Sequence, residues 1–294
     1  MEDLFSKFER LRDERNSLVV LGLDPKEFMH FGVVDQILDN FEENTDSSQK
    51  IKELIIGVKP NLAFYQGRGR WDYLEDLGRN SDLLRIIDAK LADGTNTNAA
   101  AIKSYAPFFD SVTLNTPDVE GTVAVGREKR MDSIIMGAMS FPSTVKDLED
   151  DFGLEFLKKR IDRGINVGAQ GIVMGATSYI PSDKIGETID KLVEKIQLGD
   201  KEYLSIHDLS SEQLYRAIER RNNLFTYGVE RMRENPKLVA LVPGFGRQGG
   251  NLEQFLDSGI DINRCMINAG SEILKADSPY EALVEFNQRI NGHR

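Results

Sequence analysis

The chain has 294 residues, 40% of them hydrophobic and 29% charged, a composition that excludes a disordered or collagen-like protein. Its net charge of −11 argues against nucleic acid and anionic membrane surfaces as partners, and one cysteine, Cys265, excludes an internal disulfide or a cysteine-built zinc site. The charged, amphipathic N-terminus lacks the apolar stretch of a signal peptide, and no run is long enough to span a bilayer, so a cytoplasmic protein is expected.

Eight short apolar runs follow one another along the chain. They are LVVLGLDP (18–25), LIIGVKPNLAFY (54–65), LLRIIDAK (83–90), FFDSVTLN (108–115), MDSIIMGAMS (131–140), AQGIVMGATS (169–178), PKLVALVPGFG (236–246) and RCMINAGSEIL (264–274). Continuous rather than alternating apolar character is the pattern of strands in a parallel sheet covered on both faces. Helical spacing marks several intervening segments: 41–54, 98–108, 144–161, 182–196, 211–235 and 278–290. Eight strands alternating with helices predict an α/β fold, a (β/α)8 TIM barrel over 1–294, ahead of an open doubly wound sheet. The connection between the sixth and seventh runs is enlarged. It predicts a helical insertion at about 182–235 on the outside of the barrel.

In such a barrel the active site lies at the C-terminal ends of the strands, so the polar residues closing each run are the candidates. The first run gives Asp24; the second gives Lys59 and Asn61. The third gives Asp88 and Lys90, with Asp93 and Thr97 just beyond. The fourth gives Thr113 and Asn115, the fifth Ser140, and the sixth Thr177 and Ser178. Asp88 and Lys90 are two apart, which on a regular strand puts both on one face. With Lys59 and Asp93 they predict an array of alternating charge. Two lysines at a barrel mouth are costly unless they are paired or face an anionic ligand. After the seventh run, PGFGRQGG (243–250) reads as a glycine-rich anion cradle, with Arg247 and Gln248 as added donors. His30, His207 and His293 have no metal-binding spacing, Cys265 reads as a buried structural thiol, and Trp71 as a helix-packing residue.

These residues resemble a known family. LGLDP, VKPNLAFY, DAKLADGTNT, MSFPS and PGFGRQGG are similar to the orotidine 5′-phosphate decarboxylases, in their longer, type 2-like subgroup. The resemblance implies a homodimer of barrels that converts orotidine 5′-phosphate to UMP with no metal and no organic cofactor. It implies catalytic roles for Lys59, Asp88, Lys90 and Asp93. Asp93 and Thr97 would reach the partner's site. Asp24 would bind the ribose, Ser140 the pyrimidine, and Pro243, Arg247, Gln248 and Gly249 the phosphate. Two positions depart from the family pattern. Ser271 stands where an arginine usually faces the phosphate, followed by Glu272, and Gly94 stands where an apolar residue follows the second aspartate. Two other readings stay open. One is a related barrel enzyme of the 3-keto-6-phosphogulonate decarboxylase or hexulose-phosphate synthase type, which would need Mg²⁺ and a glutamate on the second strand. The other is a non-catalytic, nucleotide-binding barrel.

Overall fold

In a computed structural model, residues 2–24, 51, 53–79, 82–139, 151–197, 209–245 and 250–294 are described, 195–197 by backbone alone. The chain opens with α1 (Leu4–Arg15). Asp3 caps it by accepting the Ser6 N–H at 2.8 Å, and Leu4, Phe8 and Leu11 bury one face. Then come β1 (Val19–Leu23), β2 (Gly57–Pro60), α2 (Leu62–Gln66), α3 (Trp71–Arg79), β3 (Leu84–Leu91) and α4 (Thr95–Tyr105). They are followed by β4 (Ser111–Leu114), α5 (Val119–Glu128), β5 (Asp132–Ala138), α6 (Asp151–Asn166) and β6 (Gly171–Met174). Beyond a 3₁₀ turn lie α7 (Ile185–Gln197), α8 (Ser211–Glu234), β7 (Val239–Val242), α9 (Leu252–Leu256), β8 (Cys265–Ala269), α10 (Ser271–Leu274) and α11 (Pro279–Asn291).

The eight strands pair in parallel and in chain order, and β8 closes on β1. This is the (β/α)8 barrel that the alternation of runs predicts. Each run holds its strand, except that β3 extends one residue past the third run to Leu91, and two runs continue into helix. Asn61 ends β2 by accepting the Ala63 N–H at 3.2 Å, so the LAFY tail of the second run is α2. The SEIL tail of the eighth is α10.

The N-terminal end of the barrel is closed by α1. Asp132, at the start of β5, accepts the Leu4 N–H at 2.7 Å. Gln170, just before β6, accepts that of Phe5 at 3.0 Å, and Lys7 pairs with buried Asp110 at 2.8 Å. These bonds satisfy amides that a helix start leaves open. They also leave the opposite end, where the strands finish, to carry chemistry.

Helix α8 does two jobs. Leu224, Phe225, Val229 and Met232, in its C-terminal half, join the barrel core. Leu214, Ala217 and Ile218, in its N-terminal half, form a separate small core with Ile180, Ile185, Ile189 and Leu192. Buried Arg221 lies at the junction and donates to the Met139 carbonyl at 2.7 Å.

Glycine sets one close approach. Gly78 on α3 lies against Phe108; a Cβ there would overlap the Phe108 Cβ and sit 2.9 Å from its carbonyl oxygen. Helix propensity alone favours Gly→Ala by ~1 kcal/mol. We expect Gly78→Ala to destabilise instead, by ~1–3 kcal/mol in urea unfolding, because the overlap involves main chain and Cβ, which yield little. A gain in stability would show that α3 can move away from Phe108.

Candidate active site

Strand β2 carries Lys59 into the barrel. Register pairs it with Gly22 of β1, and its side chain is 5% exposed. Its ammonium is 2.7 Å from Asp88 Oδ2. Lys90 Nζ is 2.6 Å from Asp88 Oδ1, and the Thr113 hydroxyl donates to the same oxygen at 3.0 Å. One carboxylate therefore holds three donors. The lysines differ in access: the Lys90 side chain is 43% exposed, while that of Lys59 is enclosed.

Strand β3 is not regular here, which corrects the expectation of simple alternation. Its pairing with β4 slips between Ile87 and Leu91, and Lys90 adopts φ +45°. A left-handed backbone at a residue other than glycine is costly and persists only where surroundings impose it. Asp88 and Lys90 meet because of this bulge, not because two residues of a flat strand share a face.

Burial opposes charge on Asp88, but Lys59, Lys90 and their hydrogen bonds outweigh it and hold the carboxyl well below the usual range. Burial likewise opposes the Lys59 ammonium. Asp88, Asp24 and the hydrogen bond to Asp88 outweigh it and raise its pKa. Asp88 and Lys59 thus both stay ionised at neutral pH.

Asp24 follows β1 at the same mouth. One of its carboxylate oxygens is buried and has no hydrogen-bond partner among the described residues. Asn268 of β8 has a side-chain oxygen in the same condition, and a Cβ on Gly22 would lie 2.8 Å from it. The sequence marks Asn268 only as the start of NAGSE, the polar end of the eighth run.

Asp93 is brought to the rim but not into the array. Its side chain is exposed and accepts the Gly94 N–H at 2.7 Å. Its main chain is fixed: Asn98 Nδ2 at 2.6 Å and the Thr116 hydroxyl at 2.7 Å both donate to its carbonyl oxygen. Thr97 is exposed on the first turn of α4. Ser178 belongs to the frame, donating to the Ala138 and Met139 carbonyls at 2.9 and 2.8 Å. Asn115, also a strand-end residue, accepts from buried Arg160 at 2.8 Å.

Past β7, the Pro243 carbonyl accepts the Ala176 N–H at 2.7 Å. Gly244 has φ +109°, and its carbonyl accepts the Gly250 N–H at 2.9 Å, which pins together the ends of the segment between them. Arg247, Gln248 and Gly249 of that segment, and Ser140, lie outside the described residues, as do His30 and His207. Ser271 opens α10, and Glu272 accepts the Gly270 N–H at 3.2 Å. Cys265 is fully enclosed, and burial pushes its thiol pKa up, as suits a structural thiol. Among the described residues no group of three or more His, Cys, Asp or Glu could hold a metal, and no helix is long and apolar enough to cross a membrane.

No family model matches the chain. Eight curated relatives do, all with one name, orotidine 5′-phosphate decarboxylase. The chain resembles the orotidine 5′-phosphate decarboxylases. It is 24% identical over 311 residues to the one from Natronomonas pharaonis, covering 98% of this chain and 100% of that relative. Among solved structures, the Leishmania donovani OMP decarboxylase aligns at TM-score 0.62 with 21% identity, covering 97% of each chain. The Leishmania donovani UMP synthase aligns at TM-score 0.65 with 21% identity over 99% of this chain, which spans 56% of that protein. These structures share the barrel.

The array makes a stability prediction. Asp88→Asn strands the enclosed Lys59 ammonium and should cost about 3–5 kcal/mol in urea unfolding. Adding Lys59→Met should return part of that loss. Because the folded-state pKa of Asp88 is depressed, its contribution is present above the unfolded carboxylate value near ~3.9 and lost as pH falls below it. A cost under about 1 kcal/mol for Asp88→Asn would mean Lys59 does not depend on this carboxylate.

Proposed function

We propose that this protein is an orotidine 5′-phosphate decarboxylase, releasing CO2 from orotidine 5′-phosphate to give UMP in pyrimidine nucleotide biosynthesis. The observation that carries this reading is the Lys59–Asp88–Lys90 array at the mouth of the barrel. The near full-length similarity to decarboxylases of that name supports it.

Breaking the bond between C6 and the carboxylate leaves an electron pair on C6, with no adjacent carbonyl to accept it. A fixed ammonium is what this carbanion needs. Lys90 has the exposure to approach a ligand; Lys59 does not. Lys90 Nζ stabilises the developing charge and then transfers its proton to C6, leaving a neutral amine. Asp88 holds Lys90 in place and, close to the substrate carboxylate, disfavours the anionic ground state. Lys59 keeps Asp88 ionised throughout. No metal enters these steps, and Lys59 occupies the second-strand position where the Mg²⁺-dependent barrel enzymes would need a glutamate.

The protein acts in this reading as a cytoplasmic homodimer, with Asp93 and Thr97 completing the partner's site. Their exposed side chains at the rim support that role. Asp24 binds the ribose hydroxyls, a role supported by its buried oxygen with no partner among the described residues. Ser140 contacts the pyrimidine. Pro243, Arg247, Gln248 and Gly249 hold the phosphate.

Lys90→Ala should abolish CO2 release while retaining UMP binding. Mixing it with inactive Asp93→Asn should restore activity, because each heterodimer contains one site with both wild-type residues. No recovery after confirmed subunit exchange would place Asp93 in its own subunit's site.

Ser271 leaves the phosphate without its usual cation, and Glu272 occupies the Gly270 N–H beside it. Arg247 takes over that role. Arg247→Ala should weaken UMP binding by ~2 kcal/mol, about thirtyfold, and uridine binding hardly at all. Equal losses for the two ligands, measured by calorimetry, would reject the takeover.

A further inference from the structure

Strand β4 supplies a hydroxyl where β3 departs from regular pairing. Thr113 is 1% exposed, and its hydroxyl makes two directed bonds. It accepts the Lys90 main-chain N–H at 2.9 Å and donates its own proton to Asp88 Oδ1 at 3.0 Å. A hydroxyl has one proton to give, so its orientation is fully committed. Beyond the bulge the ladder resumes, with the Asn115 N–H donating to the Leu91 carbonyl at 2.8 Å.

The hydroxyl therefore fills the gap that the register slip opens. Without it, the Lys90 N–H would lose its partner at the point where φ is +45°. The side-chain contact depends on the same atom. Asp88 Oδ1 receives both Lys90 Nζ, at 2.6 Å, and the Thr113 proton, while Oδ2 is held by Lys59 at 2.7 Å. Thr113 thus touches the main chain of one member of the array and the carboxylate of another. It is well placed to set the direction in which the Lys90 ammonium leaves the bulge.

We propose that Thr113 is a positioning residue: its hydroxyl fixes the bulge at Lys90 and the plane of the Asp88 carboxylate, and so aims the Lys90 ammonium at the reacting carbon. Aiming Lys90 at a reacting carbon rests on the decarboxylase reading; the hold of Thr113 on Lys90 and Asp88 does not.

The test compares Thr113→Val, which keeps the shape and removes the hydroxyl, with Thr113→Ser, which keeps the hydroxyl. For positioning, Thr113→Val should lower kcat for CO2 release at least about tenfold with KM little changed, because misalignment penalises the reacting geometry more than ground-state binding. Thr113→Ser should recover most of the loss. A crystal structure of Thr113→Val should show Lys90 out of the left-handed region and its ammonium no longer in contact with Asp88. Should the valine variant not fold, Thr113→Ala is read in the same way.

Three results would overturn the proposal: kcat within about twofold of wild type for the variant lacking the hydroxyl, an unaltered Lys90–Asp88 contact in its crystal structure, or a serine variant as impaired as the valine one. Failure of the decarboxylase reading looks different. The wild-type protein would then release no CO2, while the crystal structure would still decide whether Thr113 holds Lys90.

Discussion

A carboxylate enclosed at the end of a barrel strand must be paired with cations or become neutral, and Asp88 is paired twice. The neighbouring features follow from that requirement. Lys59 is enclosed because it serves the carboxylate. Lys90 can stand half in solvent because its ammonium is anchored at one end. Thr113 adds the third donor. Removing Asp88 would leave the enclosed Lys59 ammonium unmatched in a place where water cannot compensate.

The two ends of the barrel divide the work. At the N-terminal end, Asp132 and Gln170 accept from α1, and Asp110 is shared between Lys7 of α1 and Arg85. At the C-terminal end lie buried Asp24 and Asn268 oxygens with no partner among the described residues, the exposed Lys90 side chain, and Asp93 on a main chain held by Asn98 and Thr116. Rigid support beneath open side chains is the arrangement a binding site needs. Asp93 itself combines a clamped carbonyl with an exposed side chain.

Much of this was legible in the sequence. Continuous apolar runs mark all eight strands, because a sheet covered on both faces leaves no position for alternation. Lys59, Asp88 and Lys90 were legible because strand ends converge in a barrel. The bulge was not, since a left-handed lysine has no signature in the residue string and owes its conformation to a hydroxyl on the next strand. Thr113 was visible as a strand-end residue but without a role, as its two partners are more than twenty positions away in the chain. Helix α5 escaped notice because Gly121 and Gly126 weaken its helical pattern; their contacts with Thr95 and with Met131 and Ser133 explain them only in three dimensions. Asn268 was visible only as part of NAGSE at the end of the eighth run, without a role.

In the proposed function, the Lys59–Asp88–Lys90 array decarboxylates a pyrimidine nucleotide without a metal. The most direct measurement incubates the purified protein, in the presence of EDTA, with carboxyl-labelled orotidine 5′-phosphate and, in parallel, with labelled 3-keto-6-phosphogulonate. Labelled CO2 is expected from the nucleotide alone, undiminished by the chelator. Release only from the sugar phosphate, or none from the nucleotide, would contradict it.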